Sequence, residues 1–140
     1  MKTLIALAVF LTFVTGVSAL DATRLFETLE PSVVLITSEE GTGSGVVITA
    51  DGLILTNFHV ANTPLPMTVE AIVGEQGRRV RKSFPNIRLH KVHVRSDLAL
   101  LKVDAPGIQF IPARLSKSSG DAKSGAICYA LGFPYLPQQG

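Results

Sequence analysis

One histidine of the three in this 140-residue chain closes an apolar run. In "GLILTNFHVAN", residues 52–62, Leu53, Ile54 and Leu55 lead into Thr56, Asn57 and Phe58, and then His59. An imidazole at the end of a strand-like run either satisfies a local hydrogen bond or serves as a general base. A base in acyl transfer needs a carboxylate on its second ring nitrogen, which fixes the tautomer and stabilises the imidazolium. The candidates are Asp51, Asp97, Asp104 and Asp121. Asp51 is explained by an Asp-Gly turn, Asp104 precedes Ala-Pro, and Asp121 lies in a polar loop. Asp97 stands at the mouth of "LALLKV", where a carboxylate is costly unless paired. A strand-start aspartate bonded to nearby main-chain N–H groups also accounts for it, and spacing alone leaves both readings open.

The remaining reactive side chains carry less. Ser44, in "GTGSGVV", precedes the histidine, and Ser124 opens a strand-like run; neither has the setting of a nucleophile within reach of a base. Cys128 is the sole cysteine, so no internal disulfide forms, and its place in "AICYALG" predicts a buried, inert thiol. His90 and His93 lie three apart in "IRLHKVHV", on opposite faces of an ideal strand, where they cannot easily share a metal. No phosphate loop, paired-cysteine site or nucleotide fingerprint is present, and no cofactor or metal is expected.

These groups need a scaffold, and its punctuation is that of strands. "SVVLITS" and "GSGVVIT" are β-branched runs, and Ala50-Asp51-Gly52 joins the second to "LILTN" as a hairpin. "MTVEAIVG" and "RRVRKSF" flank Glu75-Gln76-Gly77 as a second hairpin. "IRLHKVHV" alternates, with Ile87, Leu89, Lys91 and His93 on one face and Arg88, His90, Val92 and Val94 on the other. "LALLKV", "IQFIPARL" and "AICYALGF" complete the strand set, and residues 116–121 form a polar loop. Ahead of them Asp21 is expected to cap a short helix, with Leu25, Phe26 and Leu29 on one side and Pro31 at its end. Short strands spaced by turns point to an all-β barrel or sandwich.

The first segment stands apart. "MKTLIALAVFLTFVTGVSAL" has one cation, Lys2, and an apolar stretch shorter than the roughly 20 residues that span a bilayer. Val17-Ser18-Ala19 fits the small-x-small cleavage rule, so residues 1–19 read as a signal peptide and the chain as exported, with no membrane segment after cleavage. The mature chain then has twelve basic and eleven acidic residues, which excludes general nucleic-acid binding by charge. Residues Arg78 to Arg95 hold seven Lys or Arg and no acid. A solvated hairpin face is the leading reading of that run, and a patch for an anionic partner the other.

"GTGSGVVITADGLILTNFHVAN" followed by "VRSDLALLKVDAP" resembles the first half of the trypsin-like serine peptidases of the HtrA (Deg) group. The likeness rests on Gly43-Ser44-Gly45, Asp51-Gly52, Leu55-Thr56-Asn57, His59-Val60 and Asp97-Leu98-Ala99-Leu100-Leu101-Lys102, in order and at matching separations. It covers most of residues 25–134, with "LEPSVVLI" like the entry to the first strand.

That resemblance implies His59 as general base and Asp97 as the acid that orients it. It implies an all-β, chymotrypsin/trypsin-like double β-barrel with the site in the cleft between barrels. Residues 20–112 would form the first barrel with its short helix, and 113–140 the incomplete start of the second. It further implies polypeptide substrates and a homo-oligomer, a trimer. The family's nucleophile sits in Gly-x-Ser-Gly-Gly within the second barrel, and that motif does not occur here. The expectation is therefore an exported serine endopeptidase truncated before its nucleophilic serine, and inactive alone. The alternative is a non-catalytic half-barrel binding module.

Overall fold

The computed structural model describes residues 19–133, and the proposed signal peptide falls almost wholly outside them. Helix α1 (Ala19–Leu29) runs into a 3-10 turn, Glu30–Ser32. Then come β1 (Val33–Ser38), β2 (Gly41–Val47), β3 (Leu53–Thr56), helix α2 (Phe58–Ala61), β4 (Thr68–Glu75), β5 (Arg78–Phe84) and β6 (Ile87–His93). A 3-10 turn, Val94–Ser96, precedes β7 (Leu98–Val103), and β8 (Gln109–Phe110) follows.

Every strand pairing is antiparallel, in the order β5-β4-β1-β2-β3-β7-β6, with β8 added to β4. The two ends of that order, β5 and β6, are separated in sequence only by Pro85 and Asn86. They are two halves of one bent strand, and the sheet curls back on itself as a barrel. Proline supplies the break, because it has no N–H for the ladder.

Alternation fills the interior. Val34 and Ile36 of β1, Val69, Ala71 and Val73 of β4, and Ala99, Leu101 and Val103 of β7 are all buried, joined by Val47 and Ile54. A period of two puts each set on one face. Each large side chain so buried stabilises the fold by about 1.5–3 kcal/mol relative to exposure. Phe84 and Phe110 pack together in the same core, ring centroids 5.1 Å apart.

The hairpins form where the turn residues require them. Gln76 and Gly77 both have positive φ, 49° and 76°, the conformation that two-residue hairpin turns demand. Between β2 and β3, Gly52 N–H donates to the Thr49 carbonyl at 3.1 Å and Gly52 is left-handed. Asp51 also pairs with Lys102 of β7, Nζ to Oδ2 at 2.7 Å, and Lys102 donates to the Asp51 carbonyl as well. This contact is the largest influence holding the Asp51 carboxyl at about 2, below the ordinary 3.8, and the Thr49 side chain adds to it.

Several sequence expectations need correction. Asp21 lies inside α1, because Ala19 and Leu20 already carry the helix upstream of it. "IRLHKVHV" does not alternate throughout: a bulge at His90 shifts its pairing with β7. Ile87 and Leu89 oppose Val103 and Leu101, whereas Lys91 and His93 oppose Leu100 and Leu98, so these four do not share a face. Of "IQFIPARL" only Gln109–Phe110 is strand, since Pro112 stops the ladder. "AICYALGF" is not a strand, and Cys128 within it is exposed rather than buried, because no neighbouring strand pairs with it among the described residues. The basic run, by contrast, lies on an exposed hairpin face as expected, where Arg79 donates to the Glu27 carbonyl near the end of α1 and Arg81 pairs with Glu30 at 3.2 Å.

Candidate active site

β3 ends at Thr56, whose hydroxyl donates to the Ser44 carbonyl at 2.8 Å and ties β3 to β2. Asn57 is extended, and the chain then makes a single helical turn, α2, instead of carrying the strand on to the histidine. The turn packs onto a place where β2 has no side chain. A Cβ on Gly43 would lie 2.5 Å from Val60 Cγ1, so only glycine lets α2 seat there. Gly45 serves the interior in the same way, since its Cβ would lie 2.6 Å from Ile54 Cγ2. Gly43, the first glycine of Gly-Ser-Gly, thus lets the helix that carries His59 sit close on β2.

Asp97 arrives from the neighbouring strand, since β7 is laddered directly to β3. The 3-10 turn Val94–Ser96 ends in Asp97, which is left-handed at φ 51°, ψ 45°, and β7 begins with the next residue. Three consecutive residues converge on it. Phe58 N–H donates to the Asp97 carbonyl at 3.0 Å, and His59 N–H donates to Oδ1 at 2.9 Å. His59 Nδ1 lies 2.6 Å from Oδ2. Asn57 Nδ2 reaches both the Asp97 carbonyl, at 3.1 Å, and Oδ2, at 3.2 Å. The two readings of Asp97 therefore coincide: it is a strand-start aspartate bonded to main-chain N–H, and the N–H belongs to His59.

The electrostatics follow from those donors. The His59 main-chain N–H is the largest influence holding the Asp97 carboxyl below the ordinary aspartate value, and the His59 ring and Asn57 add to it. Asp97 is thus ionised at neutral pH and can only accept. Nδ1 must then carry the ring proton, which leaves Nε2 of a neutral ring as a free acceptor. The His59 side chain is 70% exposed and that of Asp97 44%. Open depressions flank the pair: one of about 150 Å³ is lined by His59, Val60, Ser38, Glu40 and Thr42. Another, of about 280 Å³, is lined by Asn57, Leu98, Leu55, Ser44 and Leu131.

The other candidates lie elsewhere. The Ser44 hydroxyl is taken up by Phe133, accepting from its N–H at 2.7 Å and donating to its carbonyl at 3.3 Å. Ser124 is exposed, as are His90 and His93 on β6. Asn57 was not among the candidates drawn from the sequence; its position two residues before His59 was the available signal.

A trypsin-like peptidase domain model matches residues 43–140, and the chain belongs to that family. Its similarity is to HtrA and Deg proteases in particular. "Serine protease HTRA1B" of Danio rerio is 33% identical over 96 residues, 69% of this chain and 18% of that protein. "Protease Do-like 8, chloroplastic" of Arabidopsis thaliana is 38% identical over 104 residues, 69% of this chain and 22% of that one. "Protease Do-like 5, chloroplastic" from the same plant is 32% identical over 137 residues, covering 80% of this chain and 41% of that protein. The chain therefore spans less than half the length of these relatives. The crystal structure of Deg5 superposes with a TM-score of 0.62 at 32% identity, over 74% of this chain and 51% of that one. The fold is that of a trypsin-like barrel.

Proposed function

We propose that this chain carries the base and orienting acid of an exported serine endopeptidase, and that the attacking serine is not among its residues. In this reading residues 20–112 belong to the first barrel, and the stretch from 113 onward, without a strand among the described residues, leads toward the second. The observation that carries this reading is the 2.6 Å contact between His59 Nδ1 and Asp97 Oδ2, beside an otherwise exposed ring. In the proposed reaction His59 Nε2 takes the proton of a serine hydroxyl, whose oxygen attacks a peptide carbonyl. The same nitrogen then gives that proton to the leaving amine, and water releases the acyl group. Asp97 stays ionised throughout and holds Nδ1–H. The absence of Gly-x-Ser-Gly-Gly supports the placement of the nucleophile outside the chain, as does the engagement of Ser44 by Phe133. The N-terminal segment supports export. No helix among the described residues is long and apolar enough to cross a membrane.

A serine-directed fluorophosphonate tests this directly. The 140-residue chain is expected to remain unlabelled, and a product of the same reading frame extended past Gly140 to be labelled. His59→Ala in the extended product is expected to lower the labelling rate by at least about a thousandfold. Labelling of the 140-residue chain itself would refute the external nucleophile.

A further inference from the structure

Asparagine is among the best residues for capping a helix, yet Asn57, at the N-cap of α2, makes no side-chain cap bond. Its carboxamide is turned to Asp97 instead, with Nδ2 3.1 Å from the main-chain carbonyl and 3.2 Å from Oδ2. Both partners only accept, so the NH2 end must face them. We propose that Asn57 is a positioning residue: its carboxamide clamps the main chain and the carboxylate of Asp97 together, and so holds Oδ2 on His59 Nδ1. This rests on the reading of His59 and Asp97 as base and orienting acid.

The need for a clamp follows from exposure and backbone. The Asp97 side chain is 44% exposed, so burial does not fix its rotamer. Its left-handed backbone is one that few L-residues hold without local hydrogen bonding. Without Asn57, Oδ2 would keep only the ring nitrogen. The carbonyl would keep only Phe58 N–H.

The test needs no catalysis and uses the 140-residue chain. In proton NMR the Nδ1–H between His59 and Asp97 should give a far-downfield resonance. Asn57→Ala is expected to speed its exchange with solvent about tenfold, the factor a single charge-assisted hydrogen bond carries. The same variant should move the Asp97 carboxyl titration up. Asn57→Asp, which sets acceptors against acceptors, should move it further. Unchanged exchange and titration in Asn57→Ala would overturn the proposal. Core methyl resonances of Ile54 and Leu101 report whether each variant folds. Should neither fold, the unmodified chain decides: the Asn57 carboxamide protons must shift with the midpoint of the Asp97 carboxyl, and a flat response overturns the clamp. A chain that passes here but whose extended product resists the fluorophosphonate keeps Asn57 and loses the peptidase reading; the reverse result does the opposite.

Discussion

β7 and the stretch from Ala126 to Phe133 are similar in sequence and opposite in structure. "LALLKV" is laddered by β3 on one side and β6 on the other, and buries Ala99, Leu101 and Val103. "AICYALGF" has more apolar residues but forms no strand, and leaves Ile127 66% and Tyr129 53% exposed. Its hold on the barrel is Phe133 on the Ser44 hydroxyl and Leu131 in the depression beside Leu98. Strand propensity is a fit to a neighbouring surface, and it is realised only where the fold provides one.

The comparison breaks first if the two regions respond alike to truncation. Leu101→Ala is expected to cost about 2–5 kcal/mol in urea unfolding. Ile127→Ala should stay within about 0.5 kcal/mol of the parent. A comparable loss at both would show that the second stretch is packed.

A second contrast lies in how tightly each region is seated. Gly43→Ala is expected to destabilise the chain by about 1–3 kcal/mol, through the collision with Val60. Adding Val60→Ala should recover most of the loss; failure to do so would mean that α2 rests on something else.

The Asp51–Lys102 pair sharpens the picture of β7 from its far end. The Asp51 carboxyl is lowered in the folded chain, so its contribution to stability is present above the ordinary value of 3.8 and disappears as pH falls through about 2. Lys102→Met should remove most of that dependence, leaving the smaller part due to the Thr49 side chain. The gap in urea midpoint between parent and variant is then expected at pH 5 and largely lost near pH 2. It should be modest and weakened by salt, because Asp51 is exposed.

The smallest effect is a null one. Cys128 should react with a maleimide at nearly the same rate in the folded chain as in urea, whereas strong protection would mean burial.

Most hairpins were legible because their turns are chemically distinctive: Asp51-Gly52 and Gln76-Gly77 need the left-handed conformations that glycine supplies. The β1, β4 and β7 strands were legible as β-branched or apolar runs, but which of their residues face the interior was not, because Val33–Ile36 and Leu98–Leu101 are apolar at every position. The bulge at His90 was not, since an inserted residue changes register without altering composition. Burial of Cys128 was misjudged because an apolar run carries no record of whether a partner strand exists. At the site, the residue types at 59 and 97 were visible. The convergence of residues 57, 58 and 59 on a single aspartate was not, because it depends on a reversal of the chain at Asp97 that sequence marks only weakly.

That reversal governs which mutants of the acid are interpretable. With φ at 51°, position 97 tolerates few side chains besides Asn, Asp and Gly. Asp97→Ala therefore removes a carboxylate and perturbs the chain path at once, confounding charge with geometry. Asp97→Asn keeps the path and deletes the charge, while Asp97→Gly keeps the path and deletes the whole side chain. Read as a pair, these two substitutions separate what the negative charge contributes from what the side chain contributes as a hydrogen-bonding tether.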